Sequence, residues 1–229
     1  MEIQVLEDPA AIAVEAAKVI AREGRGAVAA RGRFSLAVSG GQTPWQMLRA
    51  LAREDLPWPH VYVAQVDERL APPGDPDRNL THLRDSLLKH VSLPPHNICA
   101  MPVDSPDLEA AARQYAISLQ EIAGAPPVLD LVHLGLGPDG HTASLVPGDP
   151  VLNVTDADAA LTQPYQQRRR MTLTYPMLNR ARRILWVVTG AEKACMLLRL
   201  RDGDVTIPAG FIRRDQALVL ADRAAAEPL

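Results

Sequence analysis

The sequence predicts an α/β fold, a doubly wound and mostly parallel sheet with helices on both faces. From Phe34 onward, short apolar runs alternate with amphipathic stretches of helical spacing. Short apolar runs are typical of buried strands, and parallel strands need crossover connections, which helices usually supply. Two of these runs end directly in glycine-rich loops. In an open α/β sheet, the ligand-binding crevice lies at such strand ends.

Length and composition predict a globular protein with a single domain, residues 1–229. The chain has 47% hydrophobic and 22% charged residues, and no linker, repeat or low-complexity segment divides it. A net charge of −3 argues against nucleic-acid or membrane-surface binding. Cys99 and Cys195 lack metal-ligand spacing, so neither a disulfide framework nor a zinc site is predicted. The acidic N-terminal segment and the lack of a long apolar window favour a cytoplasmic location.

The first predicted elements are a helix and a strand. Asp8 and Pro9 supply an N-cap and a first helical residue, and the apolar spacing continues to a helix end at Gly24 or Gly26. Residues 34–38 then form a short apolar strand.

A glycine turn follows this strand. Ser39, Gly40 and Gly41 come first, and Thr43 and Gln46 have the spacing of a capping box, with a proline at the first helical position. Free amides and the positive end of a helix dipole suit a phosphate or similar anion. The turn is neither a Walker loop nor a dinucleotide-binding motif, and a plain tight turn is the alternative.

The next strand, residues 61–66, ends in three charged residues. Asp67, Glu68 and Arg69 are hard to bury, so they are either solvated or line a site, and their position favours a site. An exposed loop is expected over residues 71–79 because it is rich in proline, glycine and aspartate. Amphipathic helices are then predicted over residues 80–91 and 105–124.

The central stretch, residues 129–147, carries the predicted chemistry. A buried strand over 129–134 enters a glycine-rich loop that contains Asp139 and His141. A neutral imidazole can accept a proton near pH 7, and a carboxylate two residues away can hold its tautomer or balance the imidazolium. The alternative is an ordinary turn with a surface aspartate and histidine.

The last third of the chain adds two basic features. A crossover loop over 147–164 precedes three arginines, residues 168–170, at the start of a β-prone segment. They form either a solvated edge or an anion clamp. A strand over 184–189 leads to Lys193 in the first turn of a helix, where the helix dipole disfavours a cation unless an anion lies nearby. Short elements over 207–212 and 217–220 complete the chain.

The other histidines are assigned no chemistry. His133 lies within an apolar strand and is predicted to pack in the core. The remaining four are expected to be solvated: His60, His82, His90 and His96.

Five separated segments resemble one family, the 6-phosphogluconolactonases. In the family's order they are SLAVSGGQTP, VDERLAPPGDPDRN, LGLGPDGHTASLVPG, RMTLTYPMLNRAR with VVTGAEKA, and IPAGFI. The third segment is the specific one, since SGGxTP is shared with the glucosamine-6-phosphate deaminases. The family's sheet is Rossmann-like, which agrees with the fold predicted from the pattern alone.

The resemblance implies hydrolysis of 6-phospho-D-glucono-1,5-lactone in the oxidative pentose phosphate pathway, with neither a metal nor an organic cofactor. It makes His141 the general base for water and Asp139 the carboxylate that orients the imidazole. Arg69 resembles the family's active-site arginine, which acts on the oxyanion or on substrate oxygens. Asp67 matches a carboxylate of the wider superfamily, and a hydrogen bond to sugar hydroxyls is expected for it.

The resemblance also implies what binds the 6-phosphate. The turn over residues 39–43 offers amides and hydroxyls, and Arg170 and Lys193 match basic positions of the superfamily. Arg168 and Arg169 have no counterpart and are expected to be surface charges. A sugar-phosphate lactone is the partner implied, and a monomer is expected, with a small homo-oligomer as the alternative.

Two departures and two rival functions accompany this interpretation. Arg78 replaces a usual serine, which affects contacts from the 71–79 loop, and Val146 replaces a usual phenylalanine.

A glucosamine-6-phosphate deaminase would carry a further glutamate after the histidine, and residues 142–147 contain none. The second rival is a non-catalytic sugar-phosphate sensor. Such sensors usually add a DNA-binding module, for which the segment before Phe34 is too short.

Overall fold

A seven-stranded parallel sheet forms the centre of the structure, a computed structural model that describes residues 1–229. The strands are β1 (Glu2–Leu6), β2 (Phe34–Val38), β3 (Val61–Gln65), β4 (Asp67–Arg69), β5 (Ile98–Cys99), β6 (Leu131–Gly135), β7 (Ala159–Leu161), β8 (Arg170–Leu173), β9 (Arg183–Val188) and β10 (Ala217–Asp222). The helices are α1 (Pro9–Arg31), α2 (Gln42–Leu51), α3 (Asn79–Leu83), α4 (Leu108–Ala123), α5 (Tyr175–Asn179), α6 (Ala194–Asp202) and α7 (Arg223–Ala226). A π-helical segment, Arg84–Leu88, continues α3.

The strand order places a topological switch point at the middle of the sheet. The order is β1-β10-β9-β6-β2-β3-β5, and all six neighbouring pairs are parallel. From β2 the chain moves outward through β3 to β5, and from β6 it moves the other way through β9 to β10. The carboxyl ends of β2 and β6 therefore border the crevice in which ligands of such sheets bind. The predicted fold class is confirmed.

Alternate strand residues pack on opposite faces of the sheet. Leu131 of β6 and Leu185 of β9 belong to the apolar core that α1, α2 and α3 cover. Their neighbours Val132 and Trp186 belong to the core on the other face, with α4, α5, α6 and α7. Because both faces are covered, these strands are apolar at nearly every position. None of the helices is long and apolar enough to cross a membrane.

A second, three-stranded antiparallel sheet was not predicted from the sequence. Its order is β4-β8-β7, and its register pairs Asp67 with Thr172 and Arg69 with Arg170. The charged residues after β3 do not continue in the buried sheet, since unpaired charges there would be costly. They turn instead onto its rim, and the 147–164 stretch predicted as a loop contributes β7 to the same small sheet.

The N-terminal prediction lacked one strand and ended one helix too early. The structure begins with β1, which pairs in parallel with β10 and joins the two chain ends. Asp8 caps α1 as predicted, but the helix continues past Gly24 and Gly26 to Arg31, and Gly32 ends it with φ 75°. A Cβ at Gly24 would lie 2.5 Å from Leu56 Cδ2. This glycine therefore permits close packing rather than ending the helix.

Candidate active site

One cavity of about 430 Å³ opens at the carboxyl ends of β2 and β6. The residues proposed from sequence that line it are Ser39, Gly40, Gly41, Thr43, Asp67, Arg69, His141, Arg170 and Lys193. Asp139 is the one member of the predicted set outside the lining. The cavity thus brings together loops from both halves of the sheet, and the imidazole and the glycine turn share one space.

His141 and Asp139 form a hydrogen-bonded pair in the loop after β6. The His141 Nδ1 atom lies 2.6 Å from Asp139 Oδ1, and the His141 amide donates to the same oxygen at 3.2 Å. With the carboxylate ionised, Nδ1 carries the proton and donates it, so Nε2 is left as the basic nitrogen. The His141 side chain is 21% exposed. A Cβ at Gly137 would lie 2.1 Å from Nδ1, so only glycine leaves room for the pair.

The surroundings keep Asp139 ionised. Burial opposes its ionisation, but the hydrogen bonds from His141 and the charge of His141 outweigh that effect and lower the pKa of Asp139 below its ordinary value. The carboxylate is consequently available as an acceptor at neutral pH. It can hold the imidazole in one tautomer and balance an imidazolium.

The glycine turn after β2 leads into α2 without the predicted capping box. The N-cap is Gly41, with φ 130°, and no side chain caps the helix. Thr43 lies inside the first turn, and its hydroxyl is 3.0 Å from the Thr189 hydroxyl at the end of β9. The first amides of a helix have no partner within the helix. An uncapped N-terminus on a cavity wall therefore offers donors and a positive dipole end to an anion.

His133 is hydrogen-bonded to the glycine turn through Ser39. It is fully buried, as predicted, and its Nδ1 accepts a hydrogen bond from the Ser39 amide at 3.3 Å. The Ser39 hydroxyl donates to the His133 carbonyl at 3.0 Å. The sequence identified His133 as a core residue, but this contact with the turn joins residues of different strands and was not predicted.

His133 is expected to make the folded state acid-sensitive. Burial lowers its pKa from 6.5 to about 3, so the folded protein binds this proton less readily than the unfolded chain does. The free energy of unfolding should therefore fall as the pH falls from about 6.5 towards about 3, by at most about 1.4 kcal/mol per pH unit from this group. Urea unfolding at several pH values should show a shallower slope for His133→Leu. The exposed His96→Leu is the control, and equal slopes for wild type and His133→Leu would contradict the assignment.

Arg69 and Arg170 form a basic wall of the cavity. They are paired across β4 and β8, where like charges repel each other unless an anion lies nearby. Burial lowers the pKa of Arg170, the charge of Asp67 opposes this shift, and Arg69 adds to it. Arg170 is 5% exposed, and its Nε has no hydrogen-bond partner in the protein. Both side chains can therefore bind negatively charged substrate groups.

Asp67 is held by a buried polar network. Its Oδ2 accepts a hydrogen bond from the Ser144 hydroxyl at 2.6 Å, and its Oδ1 accepts one from Asn79 Nδ2 at 3.3 Å. Asn79 Oδ1 in turn accepts from Arg69 Nη1 at 3.1 Å, and Arg170 Nη1 lies 3.5 Å from the Ser144 hydroxyl. The network fixes the acid and the two arginines relative to each other.

Lys193 lies at the N-terminus of α6, as the N-cap after a 3₁₀ turn, Ala191–Lys193. Its side chain is 20% exposed, and its Nζ is 4.0 Å from Glu192 Oε1. The buried Asp222 accepts a hydrogen bond from the Gly190 amide, at 3.1 Å to Oδ1 and 3.0 Å to Oδ2, and so anchors the start of this turn. The ammonium group thus faces the cavity, and the nearest carboxylate, that of Glu192, makes only a long contact with it.

The chain holds no cluster of three or more histidine, cysteine, aspartate or glutamate side chains placed to hold a metal ion. The chemical groups of the cavity are a histidine that is hydrogen-bonded to Asp139 behind it, two arginines, a lysine, the carboxylates of Asp67 and Glu192, and a helix N-terminus. Such a set suits proton transfer next to an anionic substrate.

Comparison with known proteins identifies the family of this chain. The family model for glucosamine-6-phosphate isomerases/6-phosphogluconolactonase matches residues 7–220. The chain belongs to this family. A 6-phosphogluconolactonase of Synechocystis sp. is 39% identical over 211 residues, which cover 89% of this chain and 88% of the relative. The solved 6-phosphogluconolactonase of Thermotoga maritima superposes with a TM-score of 0.86 at 26% identity, covering 96% of this chain and 98% of that one. A monomeric glucosamine-6-phosphate deaminase reaches a TM-score of 0.87 at 21% identity, covering 99% of each chain, which shows a shared fold alone.

In this member of the glucosamine-6-phosphate isomerase/6-phosphogluconolactonase family, Asn79 lines the cavity although the sequence assigned it no role, and Glu68, one of the three charged residues at the strand end, is fully buried and does not line the cavity. Asn79 lines the cavity and contacts Gly40 so closely that a Cβ there would lie 2.0 Å from Asn79 Oδ1. Glu68 is fully buried and accepts hydrogen bonds from the amides of Arg69 and Asn79, each at 2.8 Å. Polar residues that follow a charged strand end were the available signal.

Arg78, the departure from the family pattern, is buried away from the cavity. Its Nη1 contacts Asp104 at 2.8 and 3.0 Å, and its Nε lies 3.7 Å from Glu68. Arg78 therefore anchors the end of the 71–79 loop rather than contributing a ligand. Its neighbour Asn79 contacts both Asp67 and Arg69, and the Asp77 carbonyl of the same loop also accepts a hydrogen bond from Arg69 Nη1, at 2.9 Å.

Proposed function

We propose that this chain hydrolyses 6-phospho-D-glucono-1,5-lactone to 6-phosphogluconate, a step of the oxidative pentose phosphate pathway. The observation that carries the proposal is the single cavity that contains His141, the uncapped start of α2 and three basic side chains. The relatives named 6-phosphogluconolactonase, which match over most of the chain, support it. A metabolite with a lactone at one end and a phosphate at the other fits a cavity with these two kinds of groups.

His141 acts as the general base in the proposed reaction. Its Nε2 takes a proton from water as the oxygen of that water attacks the lactone carbonyl carbon. The tetrahedral intermediate collapses by breaking the bond to the ring oxygen, which receives the proton from the imidazolium. Asp139 holds Nδ1–H throughout and balances the transient positive charge.

Arg69 and Asp67 hold the reacting sugar. The Arg69 guanidinium stabilises the oxyanion of the tetrahedral intermediate or binds an adjacent substrate oxygen. Asp67 accepts hydrogen bonds from sugar hydroxyls in addition to those from Ser144 and Asn79, since each carboxylate oxygen has more than one acceptor position.

The phosphate is bound by the turn over residues 39–43 together with Arg170 and Lys193. The phosphate does not react, so its binding energy can be used to place the lactone carbonyl beside His141. The reaction requires neither a metal nor an organic cofactor in this proposal. Hydrolysis transfers no electrons, and an aldonolactone already reacts slowly with water.

The purified protein is expected to accelerate 6-phosphogluconate formation from the lactone well above the spontaneous rate, equally with and without a metal chelator. The assay follows product formation with spontaneous hydrolysis subtracted. Glucosamine 6-phosphate is the matched control substrate, because the deaminase relatives share the fold. Ammonia release from glucosamine 6-phosphate, or tight sugar-phosphate binding without lactone hydrolysis, would contradict the proposal.

A further inference from the structure

A strained two-residue turn lies beside the histidine–aspartate pair. Tyr165 and Arg168 exchange backbone hydrogen bonds of 3.0 and 3.2 Å, and the two residues between them, Gln166 and Gln167, have φ values of 50° and 65°. Such turns favour glycine or asparagine, because other side chains rarely adopt positive φ. Strain of this kind persists where the surrounding structure enforces it, and it is concentrated at functional sites.

The turn places Tyr165 against the catalytic pair. The Tyr165 hydroxyl donates to Asp139 Oδ2 at 3.2 Å, the oxygen that His141 does not use. The Tyr165 ring meets the His141 imidazole edge-on, with centroids 5.5 Å apart and an interplanar angle of 65°. Burial, and then the Asp139 charge, raise the pKa of Tyr165, so the phenol remains a donor. Asp139 is therefore held from both sides.

The same turn contacts the basic wall of the cavity. The Arg170 guanidinium carbon lies 5.0 Å from the Tyr165 ring centroid, within the range of a cation–π interaction. Gln166 Oε1 accepts a hydrogen bond from Arg170 Nη2 at 3.2 Å. Tyr165 itself is not among the residues that line the cavity. Its position links the histidine–aspartate pair to the arginine from outside the cavity lining.

We propose that Tyr165 is a positioning residue that fixes the Asp139 carboxylate, and through it the His141 imidazole, relative to Arg170. Only the kinetic consequence of this proposal depends on the proposed hydrolysis. The hydroxyl also shares the negative charge of Asp139, the carboxylate that accepts the His141 Nδ1 proton. The titratable groups at this junction are Asp139 and His141 after β6, Tyr165 on the turn, Arg170 on β8, and Arg69 on β4 beyond it.

Tyr165→Phe tests this role because it removes the hydroxyl and keeps the ring. We expect kcat to fall about 3- to 30-fold with KM nearly unchanged, which is less than the full loss of a hydrogen bond to a charged group, because the hydroxyl acts on the reaction only through Asp139 and His141. We also expect the acidic limb of the kcat/KM profile to move to higher pH, because Asp139 then holds the His141 proton more strongly. The matched control is Tyr175→Phe, whose hydroxyl donates to the Pro208 carbonyl outside the cavity. An unchanged kcat and pH profile in Tyr165→Phe would overturn the proposal.

Two further measurements separate this proposal from its alternatives. In an Asp139→Ala background, Tyr165→Phe should cause no additional loss of kcat, whereas a tyrosine that contacts substrate directly would still cause one. Titration of the His141 ring by NMR in the substrate-free protein should give a higher imidazole pKa in Tyr165→Phe than in wild type. Because this titration needs no turnover, it remains decisive if the proposed hydrolysis fails, and an unshifted imidazole pKa would refute the positioning role.

Discussion

His141→Ala is expected to lower kcat by about 100- to 10,000-fold, the usual contribution of a general base. KM and the affinity for 6-phosphogluconate should change little, because the proposed phosphate contacts are made by the other groups of the cavity. The side chain is part-exposed and leaves no buried partner except Asp139, which can be solvated. The substitution should therefore spare the fold. Steady-state kinetics with spontaneous hydrolysis subtracted, together with a thermal melt, measure these effects.

The control for this variant is His96→Ala, an exposed histidine in a turn before β5. It should match wild type in kcat and KM. A wild-type kcat in His141→Ala would remove the imidazole from the mechanism, and equal losses in both variants would indicate a general effect on the protein.

The sequence predicted most of the residues that line the cavity because its signals are local. Strands β2, β6 and β9 each appear as an apolar run that stops at glycine or at a polar turn, and the loops after them contain Ser39, His141 and Lys193. Parallel strands in one sheet bring their carboxyl ends to one edge. Local patterns plus this rule are sufficient to place three distant loops around one crevice.

The features that the sequence did not predict depend on contacts between distant residues. The pairing of Arg69 with Arg170 requires β4 and β8 to form a separate antiparallel sheet, which no local pattern indicates. The Thr43 hydroxyl contacts Thr189, across 146 residues of sequence, and Gly41 takes the N-cap position that the capping-box pattern assigned to Thr43. Gly24 likewise does not end the helix as predicted. A glycine is needed there because α1 packs closely against Leu56 at that point.

Lys193→Ala is expected to weaken substrate binding by about 1.5 to 3 kcal/mol, the range for a hydrogen bond to a charged group, which corresponds to about 10- to 150-fold in KM. Lys193 is a better test of phosphate binding than Arg170, because Arg170 is buried in the network around Asp67 and its loss would disturb that network. The control is the exposed Lys18→Ala in α1. It should leave KM unchanged.

The position of Lys193 allows a second, independent test of the same assignment. A cation at a helix N-terminus is unfavourable by itself, and the nearest carboxylate, on Glu192, is 4.0 Å away. Lys193→Ala should therefore leave the melting temperature of the free protein unchanged or slightly higher, while it reduces the stabilisation by added 6-phosphogluconate. The variant should also lose much less activity on unphosphorylated gluconolactone than on the phosphorylated lactone. A lysine that binds the phosphate can affect only the substrate that carries a phosphate. Equal losses of activity on both substrates would therefore mean that Lys193 acts on the sugar or on the fold.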